Sequence, residues 1–168
     1  VPKGYYSIPI GKAHVMKHGN DITIVTSLDM AVEALNIAER IKLQKIDVEV
    51  IDLCTVKPLD EKTILDSVRK TGHLLVIDSS WKDFGVASQV AAMVAEKGYE
   101  YLDGAIRRIG LPDIPSPSSP ALSKGYYPRA KNICQMIEEM LSVKIDISAF
   151  EEEMLPHDVP DPFFKGPF

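Results

Sequence analysis

Long apolar runs, basic excess and nucleotide-binding glycine motifs are all missing from this 168-residue chain. No stretch approaches the ~20 apolar residues a membrane span requires. Two cysteines, Cys54 and Cys134, stand far apart with no metal-like spacing, so two reduced thiols are favoured over a disulfide or a zinc site. The four histidines form no ligand motif: His14 and His18 are followed at once by Gly19-Asn20, a turn signal that ends any helical spacing. Net charge is −5, and the acids concentrate from Asp146 onward, where six of them face Lys165 alone. The body is neutral, which disfavours binding nucleic acid through a basic face. The acidic end either meets a basic partner or is solvated.

What is present is an alternation of strands and helices. Asp21–Ser27 is β-branched and follows the Gly19-Asn20 turn, and its Ile-Thr-Ile-Val run reads as a strand buried on both faces. Met30, Ala31, Ala34, Leu35, Ile37, Ala38 and Ile41 then recur at helical spacing, with Ser27 or Asp29 as the expected cap. Asp47–Leu53 is a second strand, and a helix follows with Asp60 as N-cap and Ile64, Leu65 and Val68 facing inward. Gly72 ends it. His73–Asp78 is the most apolar strand, followed by a helix over Phe84–Glu96 that Ser80 or Asp83 would cap. Ala105–Ile109 is expected as a charged edge strand and Pro128–Val143 as the closing helix; Lys12–Lys17 is a candidate further strand. Near-continuous apolar strands alternating with amphipathic helices predict a three-layer α/β domain around a mostly parallel sheet.

Ligands of open parallel sheets bind beyond the carboxyl ends of the strands. Those ends offer Ser27 and Asp29, Cys54 and Thr55, Asp78 to Trp81, and Gly110 with Asp113, a thin catalytic set. The first turn reads Ser27-Leu28-Asp29-Met30, so dinucleotide binding has no support, and no phosphate loop or nucleophile elbow occurs. Cys54 reads as a small residue packed at a strand–loop junction rather than a nucleophile, having no evident base partner. Trp81, the single tryptophan, is either an anchor of the core or loop or an interface residue. "GLPDIPSPSSP" (110–120) packs four prolines into eleven residues. Because a strand and a helix of one domain flank it, it reads as a stiff surface crossing rather than a linker.

"VEVIDLCTVKPLDEKTILDSVRKTGHLLVIDSSWKDFGVASQVAAMVAEK" (48–97) resembles the C-terminal domain of the transketolase family, above all that of the beta chain of thiamine-diphosphate-dependent 2-oxo acid dehydrogenases of pyruvate and branched-chain type. "YSIPIGKAHVMKHGNDITIVTS" (6–27) and "YLDGAIRRIGLPDIPSPSSPALSKGYYP" (101–128) extend the likeness. The resemblance implies a five-stranded mixed sheet with one antiparallel strand, between helical layers. It divides the chain into a linker at 1–11 from an upstream pyrimidine-binding domain, a domain at 12–145 and an acidic Pro- and Phe-rich tail at 146–168. The N-terminus, Val1-Pro2-Lys3, fits a piece of a longer protein.

The resemblance also implies a cytoplasmic or mitochondrial-matrix oxidoreductase whose thiamine diphosphate and magnesium are held by other domains, with none bound here. An alpha chain, a second beta chain and a lipoyl acyltransferase are the implied partners. This piece would supply assembly and docking surface and be inactive by itself. Cys54 stands where many relatives carry Arg, Ser118 where Tyr is common, and only Phe84-Gly85 remains of a Gly-Phe-Gly turn. Interface candidates are Trp81, Phe84, Gly85, Asp113 and Ser118; the local alternatives are Phe84 in the core and Asp113 satisfying a turn. Phe163, Phe164 and Phe168 either pack on a neighbouring chain or are disordered. The rival readings are a transketolase or deoxyxylulose-phosphate-synthase-like enzyme and a free-standing binding domain.

Overall fold

Every residue of the strand Ile22–Thr26 (β2) is buried, because β-branched side chains on both faces of a central strand must each meet a layer of helices. The computed structural model describes residues 4–119, 123 and 125–151, the side chains of 149 and 151 excepted. Its sheet has the order β1-β3-β2-β4-β5. β1 (His14–Lys17) runs antiparallel to β3 (Val48–Asp52), while β2, β3, β4 (Leu74–Trp81) and β5 (Arg107–Leu111) are mutually parallel. The five-stranded mixed sheet expected from the family resemblance is what forms, Lys12–Lys17 supplying its antiparallel edge.

Alternation along the strands sorts the core into two. Ile22, Ile24, Val48, Val50, Leu75 and Ile77 pack with α1 (Asp29–Lys42) and α4 (Ala130–Leu141) on one face. Val25, Ile51, Leu74 and Val76 pack with α2 (Glu61–Thr71) and α3 (Val86–Lys97) on the other. This period of two is the pleat expressed as layers. Met93 of α3 and Cys134 of α4 are buried, whereas Ala95 of α3 is exposed.

Helix ends separate local from tertiary control. Asp60 caps α2 as its sequence position predicts, accepting from the Thr63 backbone N–H at 3.3 Å and the Thr63 hydroxyl at 2.9 Å. The same carboxylate accepts the Ala13 N–H at 3.1 Å, tying β1 to α2, and its pKa falls below the ordinary 3.8: burial raises it, but these bonds and Lys12 outweigh burial. Asp60→Ala is therefore expected to lower stability by about 1–2 kcal/mol, the upper part of the capping range, read as a shifted urea midpoint at unchanged slope. Gly72 closes α2 with φ 69°.

Ser27 and Asp29, by contrast, do not cap α1: its N-cap is Leu28, at φ 56°, and no side-chain bond is made there. Nor do Ser80 and Asp83 cap α3, which begins after Gly85; the Ala87 N–H is taken by Asp78 from the preceding strand, at 3.3 Å. Pro128 precedes α4 by two residues instead of lying in its first turn, and the Asn132 side-chain Oδ1 accepts the Arg129 N–H at 3.0 Å. A cap is chosen by where the chain enters the helix, and α1 and α3 are each entered from a strand of the sheet through a short turn.

The segment read as tail from 146 is anchored in its first residues. Gln44 Nε2 donates to the Asp146 carbonyl at 3.1 Å, and the Asp146 N–H donates to Gln44 Oε1 at 2.7 Å. Ile147 and Phe150 pack against the α1–α4 core, with the Arg40 guanidinium 5.2 Å from the Phe150 ring centre. Phe163, Phe164 and Phe168, and Pro120 of the proline crossing, lie outside the described residues.

Candidate functional site: the carboxyl edge of the sheet

Three β→α turns leave the carboxyl edge, and each contains a non-glycine residue at positive φ: Leu28 after β2, Cys54 after β3 and Phe84 after β4, at 56°, 52° and 61°. Side chains rarely adopt this region, and it is costly for bulky ones. All three are exposed, Phe84 completely. The placement of Phe84 removes its core alternative, and Trp81, 54% exposed, is likewise no core anchor.

The β4 turn is built by a register shift. Ile77 pairs with Ile109 but Trp81 with Leu111, so β4 carries two extra residues against β5. Asp78 holds this irregularity, accepting from the Ser80 N–H at 3.1 Å and the Ser80 hydroxyl at 2.7 Å. The chain then folds back so tightly that a Cβ on Gly85 would lie 2.5 Å from both Ser80 Oγ and the Trp81 carbonyl oxygen. Gly110 on β5 is equally constrained, its would-be Cβ 2.8 Å from Lys82 Cα. Two glycines thus let the backbones close, and the closure turns Phe84 outward.

Beside this turn lies a cleft of about 390 Å³, lined by Lys82, Asp83, Ile109, Leu111, Asp113 and Tyr126 among others. The Tyr126 hydroxyl donates to the Ile114 carbonyl at 3.2 Å, pinning the proline crossing against the helix-side loop. Arg108 donates to the Lys82 carbonyl and the Ser88 hydroxyl, and its guanidinium is 3.8 Å from Asp83. Of the interface candidates, Asp113 lines the cleft, while Trp81, Phe84 and Gly85 belong to the adjoining turn, which contributes Lys82 and Asp83 to the cleft wall. Ser118 is exposed and does not line it. Asp113 shows no turn bond of its own; the turn there is closed by the Ile114 N–H and the Pro112 carbonyl.

Chemistry at this edge is sparse. Burial, then the neighbouring Asp52 carboxylate, pushes the Cys54 thiol above the ordinary 9.0. Burial pushes the Cys134 thiol up to about 12. Thiolate is the reactive form, so neither is activated. In native protein at neutral pH, iodoacetamide is expected to label Cys54 more slowly than a free cysteine and to leave Cys134 unlabelled, as mass spectrometry would show. Rapid labelling of Cys54 would contradict the geometry. Among the described residues, no group of three or more His, Cys, Asp or Glu side chains could hold a metal ion. None of their helices is long and apolar enough to cross a membrane.

Sequence reasoning missed a polar network at the opposite, amino edge. Glu49 of β3 is buried, accepting from the Ser67 hydroxyl and Lys70 Nζ and, at 3.3 Å, from the Gly19 N–H; His18 Nδ1 is 3.4 Å away. Ser67 and Thr71 each bond the Thr23 hydroxyl at 2.7 Å. The available signal was a lone carboxylate within Val48–Ile51, where every neighbour is apolar.

A three-layer α/β domain with an apolar-rimmed strand edge is the class that fold and site define. The model of the transketolase C-terminal domain matches residues 11–133, and the chain belongs to that family. It is 38% identical over 141 residues to the Bacillus subtilis acetoin:2,6-dichlorophenolindophenol oxidoreductase subunit beta, covering 84% of this chain and 41% of that one. With the Rickettsia bellii pyruvate dehydrogenase E1 component subunit beta it shares 37% over 137 residues, 82% of this chain and 42% of the relative. A solved split gene transketolase, described as an inactive beta4 tetramer, aligns with TM-score 0.71 and 25% identity over 86% of this chain and 47% of its own. The chain thus spans less than half the length of these relatives.

Proposed function

We propose that this chain is the C-terminal assembly and docking domain of a 2-oxo acid dehydrogenase-type beta subunit. The parent enzyme decarboxylates a 2-oxo acid with thiamine diphosphate and magnesium and passes the acyl group to a lipoyl acyltransferase. An alpha-type chain and a second beta chain are its other partners. The observation that carries this reading is the conjunction of relatedness to E1 beta subunits with an edge that exposes apolar residues and offers no activated nucleophile.

The residues described here do not fit the cofactor. No metal-sized cluster is present among them, and the turn after β2 carries Leu28-Asp29, with no glycine loop to cradle a diphosphate. No chemical step is assigned to this chain; its contribution is surface and orientation. Residues 1–11 serve as linker and 12–145 as the body of the domain, onto which Asp146, Ile147 and Phe150 are anchored before the acidic remainder.

Titration calorimetry with thiamine diphosphate and magnesium tests the division of roles. The isolated chain is expected to give no binding heat, while a mixture with an alpha-type subunit co-elutes in gel filtration. Tight cofactor binding by these residues alone would sink the proposal.

A further inference from the structure

Lys82 and Asp113 both line the cleft beside β5. The Lys82 N–H donates to the Leu111 carbonyl at 3.0 Å, so the lysine stands beside Leu111, and Asp113 follows that residue by two positions. Yet among the described residues neither side chain makes a hydrogen bond or an ion pair, with the other or elsewhere. The neighbouring charges are committed: Asp83 faces Arg108, which also donates to the Lys82 carbonyl and the Ser88 hydroxyl. The rest of the lining is apolar and stiff. Ile109, Leu111 and Tyr126 are themselves buried. The Tyr126 and Tyr127 rings stand edge to face with centroids 5.0 Å apart. Both hydroxyls are used on the proline crossing, Tyr126 at 3.2 Å from the Ile114 carbonyl and Tyr127 at 3.3 Å from Ser116 Oγ. Pro112, Pro115 and Pro117 restrict the backbone there, so a ligand would not have to order this wall. Asn132 adds one polar group from the first turn of α4: its Oδ1 is held by the Arg129 N–H, which leaves Nδ2 to donate.

A free cation, a free anion and an apolar wall share about 390 Å³, the small end of the range for ligand clefts. That combination suits a small zwitterion. A phosphate-bearing ligand would meet Asp83 and Asp113, and a hydrocarbon would take water from both charges without replacing it. We propose that the cleft binds a free α-amino acid with an apolar side chain. Its carboxylate lies toward Lys82 and Asn132 Nδ2, its ammonium toward Asp113, and its side chain against Leu111 and Tyr126. Both charged residues are exposed, so the dissociation constant is expected on the order of 1 mM. Neither subunit assembly nor cofactor binding enters the test.

Amide chemical shifts of the 168-residue chain, followed while L-leucine is added, provide the test. The Leu111 and Tyr126 signals are expected to move and to saturate. Isocaproate, which is leucine without its ammonium, and isoamylamine, which is leucine without its carboxylate, should each bind about tenfold more weakly. Asp113→Asn should weaken leucine by about tenfold and leave isocaproate unchanged. Lys82→Met should weaken leucine by a similar factor and leave isoamylamine unchanged. Matching each variant to one analogue gives a readout that a merely structural role for either residue would not produce. Both side chains are exposed, so the fold should hold in the variants, and unmoved amide signals of the sheet core check that it does. Absence of saturation overturns the proposal, as do analogues that bind as tightly as leucine. So does a variant that weakens leucine and its matched analogue alike. Tighter isocaproate binding by Asp113→Asn also overturns it, since Lys82 and Asp113 would then be closing on each other.

Discussion

Gly19→Ala is expected to cost about 3 kcal/mol or more, the severe end of overpacking, and to leave the domain largely insoluble or unfolded. The added Cβ would lie 2.2 Å from the Val48 carbonyl carbon, 2.4 Å from the Glu49 nitrogen and 2.5 Å from the Val48 carbonyl oxygen. All three atoms are backbone of β3, so no side chain can rotate out of the way. β3 in turn is registered against β2 from Ile22–Val48 to Thr26–Asp52, and β1 pairs with it on the other side. Moving it displaces three strands at once. The Gly19 N–H bond to Glu49 is lost in the same step. Gly104→Ala is the control, its nearest contact being His73 Nδ1 at 3.6 Å, ordinary van der Waals distance. Urea titration of both variants decides the matter: equal midpoints would mean that the approach of the Gly19 turn to β3 is wrong.

Lys70→Met is expected to cost roughly 2 kcal/mol at neutral pH, less than a fully buried pair, because Lys70 is partly exposed and Ser67 and Gly19 still serve the Glu49 carboxylate. The sign of its pH dependence follows from Glu49. Burial raises that pKa, but Lys70, Ser67 and Gly19 together bring it below the ordinary 4.5. A depressed folded pKa contributes stability that is complete above the unfolded value and lost as pH falls through the folded one. The wild-type domain therefore loses this contribution only below pH 4.5. Lys70→Met raises the folded pKa, so its penalty is greatest at neutral pH and shrinks toward zero in acid. Denaturation midpoints measured across the acid range provide the check. A penalty that stays constant with pH would show that Lys70 acts by packing alone.

The strand–helix order, the five-stranded sheet and the Asp60 and Gly72 helix ends were legible because each depends on residues within a few positions. Period two and period 3.6 are local properties, and an Asp three residues before a helical N–H is a local donor–acceptor pair. The family resemblance added the antiparallel strand, which periodicity over four residues could not decide. Candidate site residues were legible as a turn and a loop, Trp81 to Gly85 and Asp113. That this turn and this loop share one cleft was not, since Lys82 and Asp113, which both line it, lie 31 positions apart (113 − 82).

Sequence alone determined which segments become strands and helices and that the two sheet faces are both covered, because burial of β-branched side chains needs no knowledge of partners. Tertiary structure decided the caps of α1 and α3, the outward turn of Phe84 and the paired state of Glu49. Each of these depends on atoms brought together from distant parts of the chain: Asp78 reaching Ala87, Gly110 admitting Lys82, and Gly19 lying against Val48. Steric closure and shared hydrogen bonds act through distances in space, and only the packed sheet sets those.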